Sequence, residues 1–470
     1  MKDQDPLLRS LGATEAAAIV VGTIIGSGIF LVPKTMVAAV GSPLGVIGVF
    51  IFGGLLSLAG ALTYAELGAA LPHAGGEYVY LREAYGRLWS FLYGWTQFWV
   101  AKSGSIAALA TAFFLYLANF WPLLERPWFH IPLPLGEGGG PLPISPGQFL
   151  AMGLILGLGW LNYFGVKVGG QVQAAVTVLK VALILAIVGL AALLGGGTAA
   201  NYVSTTPHIG GAAGFFAALV AALWAYDGWN NVNMASGEVH YPQRNIPLAL
   251  IGGVLTVMAI YVATNFAYFF VLSADEAARS DRVASEAARK FLGSGGADAV
   301  AVAAMVSIFA ALNGSILSGA RVPYAMARDG LFFGPMSRVH SEHRTPHVAI
   351  LGLSGWAALL VLSGRYEQLF TYVIFASWIL YAMTAATVFV LRRKRPDLER
   401  PYRTLGYPWV PAFFIAASGL LIGMTLYASP RESLMGLALI AAGIPFYLLK
   451  RRHKNLELPE NSSDNGSEGR

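Results

Sequence analysis

Apolar segments about twenty residues long recur from one end of this chain to the other, and few folds can absorb them. A helix of ~20 apolar residues matches the hydrocarbon thickness of a bilayer, where backbone N–H and C=O groups must find partners inside the protein. Of 470 residues, 56% are hydrophobic and only 12% are charged; soluble domains carry about twice that share of charge. The pattern predicts an all-α integral membrane protein with twelve transmembrane helices. They fall near residues 13–40, 45–68, 88–118, 147–165, 171–195, 212–237, 247–272, 298–320, 347–363, 366–391, 409–427 and 431–449. The charged, Ala-rich stretch 273–296 reads as a short helix outside the membrane. The first apolar segment is too long for the core of a cleavable signal and is counted as span 1.

Two of these spans contain residues that a membrane helix should not have. Span 1 reads Val21-Gly-Thr-Ile-Ile-Gly-Ser-Gly-Ile-Phe-Leu-Val-Pro33, with Gly26, Ser27 and Gly28 together at mid-span. Glycine loses the most backbone entropy in a helix, and serine competes for backbone hydrogen bonds. Span 6 reads Leu223-Trp-Ala-Tyr-Asp-Gly-Trp-Asn-Asn-Val-Asn233, again polar and Gly-bearing at its centre. Unwound backbone at this depth is tolerated only against protein or a wet cavity. There, half-helix N-termini offer amides to an anion, and half-helix C-termini offer carbonyls to a cation. A carboxylate and an ammonium on one small molecule fit that arrangement, as in a free amino acid. The competing reading of the glycines in span 1 is a close-packed helix face. A phosphate-binding loop is rejected, because no Lys-Ser/Thr follows Gly26.

The breaks lie five spans apart. An odd offset makes the two halves inverted, so a five-plus-five inverted repeat with broken helices 1 and 6 is expected. This divides the chain into an N-terminal segment 1–11, a first repeat 12–195, a second repeat 212–391, spans 11 and 12 over 409–450, and a tail 451–470. The Ser/Asn/Glu-rich tail predicts disorder. Most Lys and Arg outside the spans fall in loops on the terminus side, which places both termini in the cytoplasm. That basic face calls for no nucleic-acid partner. The chain has no cysteine, which excludes disulfides, thiolate metal sites and cysteine nucleophiles. Its histidines fall in loops, and no nucleophile–His–Asp set or intramembrane metal cluster is evident. The chain therefore reads as no enzyme, with neither cofactor nor metal.

Several motifs resemble the L-type amino-acid transporter family, within the amino acid–polyamine–organocation superfamily. They are Val21–Phe30, Tyr64-Ala-Glu-Leu-Gly68, Gly75-Gly-Glu-Tyr78, Trp224-Ala-Tyr-Asp-Gly-Trp-Asn230, Asn245-Ile-Pro-Leu-Ala249, Leu312-Asn-Gly-Ser315, Ala327-Arg-Asp-Gly330 and Arg395-Pro-Asp-Leu-Glu-Arg-Pro401. The resemblance runs from about residue 12 to about 450. It implies sodium-independent exchange of L-amino acids, neutral and cationic, by alternating access in a cell (plasma or inner) membrane. Proton-coupled symport or uniport is the alternative. Many family members pair with a heavy chain through a cysteine before span 4. That cysteine is missing here, so a prokaryotic-type member working alone is implied.

The resemblance also assigns residues. Ile24, Ser27, Gly28, Trp224, Asp227 and Asn230 fall on the substrate site, with backbone groups holding the amino-acid head. Trp224 matches an aromatic lid, the plain alternative being packing. Asp227 has three readings: a partner for a cationic side chain, a proton carrier, or a cap on the second half of span 6. Lys180 and Tyr268 fall on the coupling site. Lys180 matches a lysine standing where sodium-coupled relatives bind the ion, tying span 1 to span 5, and Tyr268 is expected beside it. A structural ion pair is the plain reading of Lys180. Asn313, Ser315 and Ser318 are candidates to line the route, and Lys102 is deep in span 3 without an assigned role. Glu66, Arg82, Glu238, Arg328 and Asp329 are expected to form ion pairs on the cytoplasmic side.

Overall fold

The computed structural model describes residues 7–132, 141–362, 366–428 and 430–456. The expectations for residues 1–6, 133–140 and 457–470, in the two termini and the loop before span 4, lie outside the described residues. Nine helical segments among the described residues are long and apolar enough to cross a membrane. The shorter apolar helices Gly211–Ala225 and His347–Leu360 occupy the places of spans 6 and 9. Pro146–Tyr163 occupies that of span 4. The molecule is a multi-span helical membrane protein.

Spans 1, 3 and 8 form the centre and are mostly buried, whereas spans 5, 11 and 12 lie at the periphery. Large apolar side chains such as Val178, Leu193 and Leu420 point outward from those outer spans, where acyl chains replace water as their solvent. Span 2 (Pro43–Ala70) packs on span 7 (Pro242–Val271). Span 3 (Arg87–Leu117) packs on span 8 (Val283–Gly319), and span 4 on span 9. Second spans therefore meet seventh, third meet eighth and fourth meet ninth, a pairing compatible with an inverted five-plus-five arrangement.

Both central breaks are present. Span 1 is two helices, Ala13–Ile24 and Gly28–Val40, and span 6 stops at Ala225 before a turn through 226–230. Gly228 takes φ +97°, a left-handed conformation that costs glycine nothing. The second part of span 6 is shorter than expected: one turn, Asn231–Met234, then a 3-10 turn, Ser236–Glu238. Span 8 begins earlier than expected. Residues 283–292 join it end to end across Gly293, whose φ of +67° makes the bend. Span 3 contains an unforeseen π-turn at Gln97–Ala101. The segment before span 1 is stitched in as well. The amides of Ser10 and Leu11 both donate to the Glu238 carbonyl at 2.9 Å, and the His240 amide donates to the Leu11 carbonyl at 2.8 Å.

Candidate functional site

The two breaks face each other at close range. A Cβ on Gly28 would lie 2.5 Å from the Ala225 Cα, so only glycine lets the half-helices approach this far. The Thr23 hydroxyl is 2.9 Å from the Gly228 carbonyl oxygen. The Tyr261 hydroxyl lies 2.9 Å from the Ile24 oxygen and 2.8 Å from the Ala225 oxygen, bridging the last carbonyls of both first halves. Between the breaks lies a cleft of about 290 Å³. Its lining comprises Thr23, Ile24, Gly26, Ser27 and Gly28 of span 1, Ser105 and Leu109 of span 3, Trp224, Asp227 and Gly228 of span 6, and Ser315 of span 8.

Five of the six residues expected at the substrate site therefore line one cleft: Ile24, Ser27, Gly28, Trp224 and Asp227. Gly28 opens the second half-helix, so its amide belongs to a first turn without intrahelical partners. That end carries the positive pole of the helix dipole. Asp227 caps no helix, since the next helical turn starts only at Asn231. Its carboxylate accepts from the Tyr381 hydroxyl at 3.0 Å instead. Asn230 does not line the cleft; its amide turns away and donates to Glu77. Sequence reasoning missed Thr23, Ser105, Leu109 and Gly228 as lining residues, and missed Tyr381 as the partner of Asp227.

Lys180 stands beneath the first break. Its ammonium donates to the Gly22 carbonyl at 2.6 Å and to the Ile25 carbonyl at 2.5 Å. The Ser307 hydroxyl of span 8 donates to the same Ile25 oxygen at 2.9 Å. A side-chain charge thus occupies the carbonyl end of the half-helix, where the dipole favours a cation. Tyr268 is buried on span 7, but no hydrogen bond joins it to Lys180 among the described residues. Tyr261, on the same helical face, makes the contact with the break. Asn313 and Ser318 do not line the cleft. Asn313 knits spans 4, 5 and 8 together through Asn162 and Gln173, and Ser318 bonds within its own helix.

Several ion pairs gather on the terminus side of the molecule. Arg321 clasps Glu238 with two bonds of 2.6 and 3.0 Å, both side chains being fully buried. Arg392 clasps Glu66 at 2.9 and 2.7 Å, and Arg82 meets Asp329 at 2.6 Å. Arg328 lies over the Tyr324 ring at 5.9 Å. Opposite, Arg282 reaches the Leu115 carbonyl at 2.8 Å and Asn119 at 2.9 Å. Outside the spans, on the connecting helix Glu77–Tyr85, burial pushes the Glu77 carboxyl up to about 7.

Broken, paired half-helices around a polar cleft inside a helical bundle are the architecture of a membrane carrier. The chain belongs to the amino acid permease family, whose profile matches residues 11–446; the members are transporters and not enzymes. It is 34% identical to the serine/threonine exchanger SteT of Bacillus subtilis over 96% of this chain and 99% of that one. It is 31% identical to the human b(0,+)-type amino acid transporter 1, covering 97% of this chain and 91% of that one. With the human cystine/glutamate transporter it shares 29% identity over 94% of this chain and 85% of that one.

Proposed function

We propose that this protein exchanges free L-amino acids, neutral and cationic, across a cell membrane by alternating access, independently of sodium. The observation that carries the reading is the cleft itself. On one side of about 290 Å³ it presents the amide end of the Gly28 half-helix, and on the other the carbonyl end of the first half-helix at Ile24 and the unwound turn at Asp227 and Gly228. An amino acid's carboxylate and ammonium fit those two poles, whatever its side chain. Ser105, Leu109, Ser315 and Trp224 then surround the side chain, and Asp227 offers a cationic one a charge. Lys180 supports sodium independence, because its ammonium already sits among the carbonyls that an ion would need. The ion pairs at Glu238, Glu66 and Asp329 form the terminus-side gate, facing the cytoplasm, and open in alternation with the opposite face. The protein works without a disulfide-linked heavy chain.

The test is uptake of labelled serine and labelled arginine into proteoliposomes, with lumens empty or loaded with unlabelled alanine, without sodium or a pH gradient. Uptake confined to loaded vesicles supports exchange. Equal uptake into empty vesicles rejects it in favour of uniport or symport.

A further inference from the structure

Span 3 runs as a regular helix to Thr96, passes through the π-turn Gln97–Ala101 and resumes at Lys102. A π-turn carries one extra residue, shifts the phase of the helix after it, and gathers at functional positions. Lys102, the first residue past it, points into the bundle and is 4% exposed. Its ammonium donates to the Asn231 side-chain oxygen at 2.6 Å. Asn231 follows the unwound turn of span 6 that holds Asp227 and Asn230. Asp227 borders the cleft on one side of this turn, and Asn230 donates to Glu77 on the other. The lysine charge thus acts on both carboxylates while bonding directly to neither.

The Glu77 side of this arrangement is short of partners. Asn230 Oδ1 is buried without a hydrogen bond, and Glu77, also buried, has only the Asn230 amide and the Tyr93 hydroxyl beside it. An ammonium carries three N–H donors, one of which goes to Asn231. Buried acceptors without donors are rare in native structures, and each one asks for an explanation. The Lys102 ammonium, with two N–H donors beyond the one given to Asn231, acts on this side of the turn through its charge.

We propose that Lys102 is a movable counter-ion through which one cleft carries both neutral and cationic amino acids. It faces Asp227 when the cargo side chain is uncharged. It turns to Glu77 when a cationic side chain takes its place at Asp227. The proposal rests on the reading of the cleft as an amino-acid site. An ionised carboxylate at this depth needs a positive partner throughout the cycle. A neutral cargo brings none, so Lys102 supplies it. A cationic cargo would instead crowd two like charges against one carboxylate, and Glu77 gives the lysine somewhere else to go. Glu77 does not line the cleft, so it acts through Lys102 as a positioning residue.

The experiment measures exchange of labelled serine and labelled arginine against internal alanine, using the full chain in proteoliposomes. Glu77→Gln keeps an acceptor for Asn230 and removes the charge. It is expected to lower arginine exchange by about tenfold while serine exchange stays within about twofold, and Glu77→Asp restores arginine. Lys102→Met has the opposite signature. Serine exchange falls by about tenfold and arginine exchange persists, since arginine neutralises Asp227 by itself. A parallel change in both substrates, or no change, in either variant overturns the proposal. So does wild-type protein that exchanges serine and rejects arginine, an outcome that leaves the exchanger reading intact. Failure of the wild type to exchange either substrate rejects the exchanger reading instead.

Discussion

Lys180 and Gly22 lie 158 positions apart in the chain, yet the lysine ammonium is 2.6 Å from the glycine carbonyl. One side chain of span 5 holds the end of the first half-helix, and through Ile25 it shares that task with Ser307 of span 8. Replacing it with methionine keeps the bulk and removes the donor. Lys180→Met should reduce exchange by more than about tenfold and lower stability by about 1–3 kcal/mol, because the Gly22 carbonyl is left buried and unpaired. Exchange assays and thermal unfolding of the same preparation check both, and wild-type exchange from the variant would refute the role.

The contact of Gly28 with Ala225 gives a steric prediction. A methyl group there would meet backbone at 2.5 Å, which no side-chain rotation relieves. Gly28→Ala should cost about 1–3 kcal/mol by overpacking and should abolish exchange by forcing the breaks apart. Gly48→Ala is the control, since its added Cβ meets nothing within 4 Å. A melting temperature for Gly28→Ala equal to that of the control would show that the half-helices do not need this approach.

Arg321 and Glu238 are both buried and bound twice. Removing one partner strands the other charge, at a cost of about 3–5 kcal/mol, whereas replacing both with apolar groups is far milder. Arg321→Met should therefore melt well below wild type, and Arg321→Met with Glu238→Leu should melt above the single variant. A double variant less stable than the single one would contradict the pairing.

Glu77 should impose a pH dependence on stability. In the folded chain its carboxyl holds its proton up to about 7, against an ordinary value of 4.5, because burial disfavours the charge. Between those values the folded state binds more protons than the unfolded state. The contribution is thus fully present below the ordinary value and is lost as pH rises through about 7. The groups facing it are Asn230, Lys102, Tyr93, Tyr64, Tyr80 and Tyr381. Melting temperature should fall between about pH 5 and about pH 8, and Glu77→Gln should flatten that slope. Equal slopes for the variant and the wild type would assign the effect elsewhere.

Both breaks could be read from the sequence because their signals are local. Gly26, Ser27 and Gly28, and Asp227 through Asn233, are wrong for hydrocarbon wherever they occur, and five of the expected substrate-site residues do line one cleft. What lay beyond reach was long-range pairing. Nothing in the pattern around Asn230 says that its amide turns to Glu77, 153 positions away, nor that Tyr381 reaches Asp227 across 154. Tyr261 and Tyr268 share a helical face, so periodicity alone could not choose which of them meets the break. The early start of span 8 was hidden by Glu286, Arg289 and Lys290, whose charges read as a separate surface helix.

The short backbone ladder between Ser10, Leu11 and Glu238 changes what the opening residues of the chain amount to. The residue whose carbonyl receives them is the same residue whose carboxylate grips Arg321. A displacement of Leu11 is therefore only one residue removed from the Arg321–Glu238 pair. The backbone ahead of span 1 and the buried Arg321–Glu238 pair are thus parts of one continuous hydrogen-bonded unit, and neither can shift without the other registering it.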